Sequence, residues 1–122
     1  MTLEEIAQEL VAGCREGRER ENLDRLYAPD AVSVEAEDMG GGREAAGIDA
    51  IRAKHDWWES AMEMLGGSVE GPFLHGPDRF AVIFRMKTRD RKTGEEGEGH
   101  EVALYHVADG RIVREEFFYA LA

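Results

Sequence analysis

Apolar residues recur at helical spacing from the start of the chain. Leu3, Ile6, Ala7, Leu10, Val11 and Cys14 fall three or four apart and predict a helix over 3–16. Thr2 and Glu5 precede it with the spacing of a capping box. The segment ENLDRLYAPD (21–30) predicts a short second helix. It must stop before Pro29, because the residue ahead of a proline is pushed out of the α region, and Asn22 is placed to cap it. AVSVEAE (31–37) alternates strictly and predicts a strand with Val32 and Val34 on one face and Ser33, Glu35 and Glu37 on the other. DMGGGREAAG (38–47) reads as a flexible glycine-rich loop, with no strand-to-helix phosphate pattern.

The next segment, from about Ile48 to Leu65, carries both tryptophans of the chain. At about 100° per residue, Ile48, Ile51, His55, Trp58, Met62 and Leu65 form one stripe. Ala50, Ala53, Trp57, Ala61 and Met64 form a second, and Asp49, Arg52, Asp56, Glu59 and Glu63 mark the wet side. Such a helix is expected to be covered on two sides, with Trp57 on a packing face. From Gly66 onward the pattern turns to strands: 68–76, irregular at Gly71–Pro72 and suited to an edge; 79–88; 100–107; and 111–121. A polar hairpin loop spans 88–99 and a tight turn, Ala108–Asp109–Gly110, joins the last two strands. Helices first and an antiparallel run afterwards make an α+β protein.

With 122 residues the chain reads as one domain, 1–122. Twenty-six acidic against fifteen basic residues give a net charge of −11, which disfavours nucleic acid and anionic membrane as partners. No apolar run reaches the roughly 20 residues that span a bilayer. One cysteine, Cys14, allows no internal disulfide, and the acidic N-terminus is unlike a secretory signal, so the expected location is the cytoplasm.

The order helix, helix, strand, helix, then strands resembles the nuclear transport factor 2-like superfamily and, within it, the SnoaL-like domains. The residues that carry the resemblance are LDRLYAPDAVSV, GIDAIRAKHDWW and, above all, EVALYHVADGRIVREEFFY. The resemblance implies a cystatin-like cone, a strongly curved antiparallel sheet wrapped on three N-terminal helices with a pocket inside. It also implies a homodimer through the outer sheet face. Relatives include ketosteroid isomerases, polyketide cyclases, limonene epoxide hydrolases and scytalone dehydratases, so the fold implies a pocket and leaves the chemistry open.

By the same resemblance Glu115, Phe117 and Tyr119 face inward from the last strand, and Ile112 faces out with Arg114, Glu116 and Phe118. Glu101, Ala103, Tyr105 and Val107 face inward from the strand before it, and Phe80, Val82, Phe84 and Met86 from the one before that. Arg85 and Arg114 fall on the outer face, available to acidic partners. Glu35 matches the carboxylate base of the ketosteroid isomerases, but their oxyanion-hole positions match Val11 and Ala103, which offer no side-chain donor. The second aspartate of the epoxide hydrolases falls on Phe117. Tyr27 and His55 match a tyrosine network behind the isomerase site.

The candidate catalytic residues are therefore His55, Glu115, Glu35 and Glu101, with His55 expected to pair with Glu115 or Glu101 and exchange a proton near neutral pH. Candidate ligand contacts are Tyr27, Trp58, Phe84, Tyr105, Phe117 and Tyr119. The four histidines form no metal signature, and no metal or other cofactor is expected. Two readings stay open: a cofactor-free isomerase, cyclase, dehydratase or hydrolase acting on a small, largely apolar molecule, and a non-catalytic ligand-binding or dimerisation module. Carboxylates and His55 converging around an open pocket favour the first; a cavity plugged by Trp58, Phe117 and Tyr119 favours the second.

Overall fold

A computed structural model of the chain describes residues 1–38 and 40–120. Helix α1 spans Leu3–Glu16, as its periodicity predicts. Its N-terminus is closed reciprocally: the Thr2 hydroxyl accepts from the Glu5 amide at 3.1 Å, and the Glu5 carboxylate accepts from the Thr2 amide at 2.9 Å. Gly17, at φ 73°, ends the helix in the left-handed conformation that glycine adopts without steric cost. Helix α2 spans Glu19–Leu26 and is capped by no side chain. Asn22 lies within that helix, buried, and donates to the Glu9 carbonyl of α1 at 3.1 Å. The two helices cross closely at Gly13, where a Cβ would stand 2.0 Å from Asn22 Nδ2.

Strand β1 covers Tyr27–Val34, starting earlier than the alternation suggested. It pairs with the last strand at Tyr27 and again from Val32, with an irregularity between. Pro29 falls in that interval, where its missing N–H cannot support a ladder. The expected glycine loop contains a short strand, β2, Glu44–Ala46, which pairs antiparallel with β1. Helix α3 runs Ile48–Ala61 and is four residues shorter than expected. Met62–Leu65 instead open β3, Met62–His75, whose Met62–Met64 pair with Thr88–Asp90 of β4, Arg79–Asp90. Eleven ladder pairs along β3 outweigh one more helical turn, which the side-chain period alone cannot reveal. The Asp90–Gly94 turn is tighter than the expected loop, so β5 spans Glu96–Ala108. Asp109 (φ 51°) and Gly110 (φ 74°) make the tight turn into β6, Arg111–Phe118. The expected end of that strand, at Leu121, lies outside the described residues.

The six strands form one curved sheet in the order β2-β1-β6-β5-β4-β3, parallel only at β1–β6. β3 is the far edge strand, as its Gly71–Pro72 irregularity predicts, with a register shift between Glu70 and Phe73. The core between helices and sheet is Ile6, Leu10, Val11, Leu23, Leu26, Ile51, Phe80, Val82, Ala103 and Ile112, with Tyr27 and Tyr105. Ile112 is a correction. A bulge between His106 and Val107 shifts β6 so that Ile112 faces the core, and the alternation that assigned it outward fails at that step.

Helix α3 is less covered than expected. Ile51 is its one fully buried residue, Trp57 is 56% exposed and Trp58 38% exposed. The packing role expected of Trp57 is not observed. Among the described residues no helix is long and apolar enough to cross a membrane.

Candidate functional site

The ladders place the inward residues in rows, and the rows differ in exposure. Phe80, Tyr105, Glu115 and Ser33 sit side by side across β4, β5, β6 and β1, and all four are buried. Val82, Ala103 and Phe117 form the next row, the first two fully buried and Phe117 half-buried. Phe84 and Glu101 form the third, both half-buried. Exposure therefore rises along the inward face, from a packed apex at the Tyr105–Glu115 row to a half-exposed end, the mouth, at Phe117, Phe84, Glu101 and Tyr119.

At the closed end the Tyr105 ring stacks on Phe80, centroids 4.8 Å apart and planes 13° from parallel. Tyr27 donates its hydroxyl to the Glu115 carboxyl at 2.5 Å. Burial pushes the Glu115 carboxyl above its ordinary range, and the Tyr27 hydroxyl, the Lys54 charge and the Ser33 hydroxyl pull it partly back. Burial likewise raises Tyr27 and Tyr105 well above the usual phenol range, with Glu115 adding to each.

The mouth is organised by a residue that the sequence reading passed over, Lys54. From α3 its ammonium donates to Ser33 Oγ at 2.5 Å and to Glu35 Oε1 at 2.7 Å. It also lies 5.0 Å from the centre of the Phe117 ring. Tyr119 donates to the other oxygen, Glu35 Oε2, at 2.9 Å. Glu35 thus links α3, the end of β1 and the segment after β6. The Lys54 and Glu35 side chains each remain 25% exposed.

Glu101 completes the mouth, with its carboxyl pushed up to about 7. Burial is the main cause; Glu35 and, more weakly, Glu115 add to it, and Lys54 opposes it. His55, one residue from Lys54, is partly buried, and burial followed by the Lys54 and Arg20 charges depresses its imidazole. Among the described residues His55 makes no side-chain hydrogen bond with Glu35, Glu101 or Glu115. Its charged neighbours also include Glu59 and Asp56, which Arg20 ties to α2. The structure thus joins Glu35 to Tyr119 and Glu115 to Tyr27, and connects the two groups through Lys54 and Ser33; His55 stands beside them. Lys54 stood three residues beyond the buried Ile51, a helical neighbour, and that spacing was the available signal.

Val11 and Ala103 are both buried and carry no donor, so the mouth's strong donors are Lys54 and Tyr119. Arg85 and Arg114 lie on the outer face and pair with Glu70 at 3.2 Å and Glu116 at 2.8 Å. Two shallow hollows of about 390 Å³ lie elsewhere, one along α1 from Met1 to Glu9 and one around Gly67, Lys87 and His100; neither includes a residue of the three rows. Among the described residues no group of three or more His, Cys, Asp or Glu is placed to hold a metal ion.

A sequence model of the SnoaL-like domain matches residues 1–119. The chain belongs to the SnoaL-like domain family. A solved structure from Mesorhizobium loti, described as a candidate SnoaL-like polyketide cyclase and also with the words carbohydrate phosphatase, is 37% identical. The match covers 98% of this chain and 100% of that one, with a TM-score of 0.91. More distant structures share the fold. RV0760c from Mycobacterium tuberculosis, in complex with estradiol-17beta-hemisuccinate, is 23% identical, covers 99% of this chain and 96% of its own, and superposes with a TM-score of 0.77. TerC, co-crystallised with polyporic acid, is 22% identical over 90% of this chain and 85% of its own, with a TM-score of 0.70. A comparison with curated proteins gives no significant match. In this SnoaL-like domain, then, the inward sheet face has a packed apex and a half-exposed polar end arranged around Lys54.

Proposed function

We propose that this SnoaL-like domain binds a small, largely apolar molecule at the mouth of its cone and moves a proton there without a cofactor, with Glu101 as the acid–base group. The observation that carries the reading is the Glu101 carboxyl, half-buried among Phe84, Phe117 and Ala103 and pushed up to about 7. A group with that affinity for protons is a competent base and a competent acid at neutral pH. Isomerisation, cyclisation, dehydration and hydrolysis all need such a step. Glu35, anchored by Lys54 and Tyr119, keeps Glu101 in a negative field, and Glu115 adds to it from below. His55 walls the mouth on the α3 side. Trp58, Phe84, Phe117 and Tyr119 supply the ligand's contacts, and Tyr27 and Tyr105 support that surface from the core.

The ligands of RV0760c and TerC, estradiol-17beta-hemisuccinate and polyporic acid, support a ring-containing organic occupant, and both also carry an acidic group. A phosphate ester fits less well, because three carboxyl groups surround the single Lys54 ammonium. We also assign a homodimer to the outer sheet face, where Phe73 and Phe118 are each 51% exposed beside Ile83, Val102 and Leu104.

The test is a ligand screen followed by tryptophan fluorescence, with turnover read by mass spectrometry across pH. Glu101→Gln is expected to keep ligand affinity while turnover falls by about two orders of magnitude, the scale of one general acid–base group. Wild-type turnover should bend near pH 7. Unchanged turnover in Glu101→Gln would remove Glu101 from the mechanism. Ligand binding with no turnover in either protein would favour a non-catalytic binding module, a reading supported by the closed end being filled with the chain's own side chains.

A further inference from the structure

We propose that three histidines on the outer sheet face, His75, His100 and His106, make the homodimer of that face a pH-dependent assembly. While they are neutral the face is balanced in charge and two copies associate; on acidification they charge both copies alike and drive them apart. The inference rests on the dimer reading above and extends it to what controls the dimer.

Directly opposed residues of a ladder share a face, so the pairings define the outer surface row by row. One row reads His75, Arg79, His106 and Arg114 across β3, β4, β5 and β6. A parallel row reads Ser68, Arg85 and His100. At about 3.3 Å per residue the two rows stand about 20 Å apart. Between them lie two apolar rows, Phe73, Ala81 and Leu104 in one and Ile83, Val102 and Phe118 in the other. Three of the four histidines of the chain thus border one apolar band, while the fourth, His55, sits on α3.

Each cation along these borders has its own carboxylate. Arg79 stands 3.6 Å from Asp78, Arg85 3.2 Å from Glu70 and Arg114 2.8 Å from Glu116. Lys87, in the next row, is paired across the ladder with Glu98. With the histidines neutral the face is therefore balanced, on a chain whose net charge is −11. It is the surface on which two such chains repel least, which selects a second copy over a charged partner. The apolar band alone is about 20 Å long and about 15 Å wide. That falls short of the roughly 800 Å² per partner that a stable interface covers, so the histidine rows are buried with it.

Protonation upsets this balance because the carboxylates of the face are already engaged. His106 has Arg79 beside it on β4 and Arg114 on β6, and Glu116, which feels its charge, is held by Arg114. Its Nε2 atom is buried and meets no hydrogen-bond partner among the described residues. His75, on the edge strand, faces Arg79 and, through it, Asp78. His100 faces Arg85, whose partner is Glu70, with Lys87 and Glu98 in the adjoining row. Histidine is the side chain that changes charge between pH 5 and 8. A two-fold axis repeats every added charge on the facing copy. The chain as a whole predicts the opposite trend, since acid reduces the net −11 and so weakens the repulsion between copies.

The experiment measures the dimer dissociation constant by analytical ultracentrifugation at about pH 7.5 and about pH 5.5, in low and high salt, with circular dichroism to confirm the fold at each. Wild type should dimerise at the higher pH, and Phe118→Asp should abolish that association. At the lower pH the wild-type dissociation constant should rise by about 10-fold or more. High salt should recover most of the loss, because it screens like charges. His75→Gln, His100→Gln and His106→Gln together should keep the neutral-pH affinity and remove the response to acid, whereas His55→Gln should leave the response in place.

A dimer equally tight or tighter in acid, or one that loosens equally in the triple variant, would overturn the histidine control and leave the dimer standing. Should the triple variant fail to fold, an undiminished acid response in His75→Gln with His100→Gln, both exposed positions, would overturn it in the same way. A monomer at neutral pH, or a dimer that Phe118→Asp leaves intact, would defeat the assignment of the dimer to this face and the inference with it.

Discussion

The two ends of the cone use the same side-chain chemistry under different solvation. At the apex a carboxyl and a phenol, Glu115 and Tyr27, meet buried in the core. At the mouth a carboxylate and a phenol, Glu35 and Tyr119, meet beside an ammonium and a second carboxyl, all partly exposed. The apex pair satisfies buried polar groups that would otherwise be costly. The mouth groups keep unused hydrogen-bonding capacity, and that is what a ligand needs. Burial alone therefore does not mark a site here; a perturbed group must also be reachable.

The contrast predicts that damage at the apex appears as lost stability and damage at the mouth as lost chemistry. Phe80→Ala, removing a fully buried ring stacked on Tyr105, should cost about 3–5 kcal/mol in denaturant unfolding. Glu115→Ala strands the Tyr27 hydroxyl and should cost about 2–4 kcal/mol. Glu115→Gln, which keeps an acceptor for Tyr27 and removes a charge that burial penalises, should cost far less at neutral pH. A large loss of stability in Glu115→Gln at pH 7 would mean that the ionised form supports the apex.

Glu101 should show the opposite sign from an ordinary salt-bridged carboxylate. Its folded-state value is about 7 and its unfolded value about 4.5. Below pH 4.5 both states hold the proton and Glu101 has no influence. As pH rises from 4.5 to 7 the unfolded chain ionises first, so stability falls; above 7 the loss is constant. The facing groups that set this shift are Glu35 at the end of β1, Lys54 on α3, and Glu115 on β6. Glu101→Gln should therefore stabilise the protein at pH 8 by about 2 kcal/mol, less than the full shift implies because the mouth is open to water, and by nothing near pH 4. Trp58→Phe should be the mildest change, under about 1 kcal/mol. It should nevertheless remove the fluorescence response to ligand, leaving the emission of the more exposed Trp57.

The apex was legible in the sequence to the extent that alternation holds. Period two separates the two faces of each strand and the family resemblance selects the inward one; Phe80, Val82, Ala103, Tyr105 and Glu115, assigned in that way, are buried. Ile112 was not legible, because a bulge inserts one residue and resets the period. The third helix was read too long for a related reason: Met62 and Leu65 fit its stripe, and only the long-range ladder with β4 assigns them to a strand. Lys54 escaped notice because a lysine on a helix is by default a solvated residue. The acceptors that draw it inward, Ser33 and Glu35, come from a strand about twenty residues earlier. His55 drew attention because histidine titrates near neutrality by itself. A carboxyl that does so depends on burial and neighbours that only the fold assembles.

The proton affinity of one side chain decides between these roles, and carboxyl-carbon NMR can follow it as a function of pH in isotopically labelled protein, with Glu101→Gln to assign the resonance. The Glu101 midpoint is expected near 7, moving lower when Glu35 is replaced by glutamine. A midpoint at the ordinary glutamate value near 4.5 would contradict it.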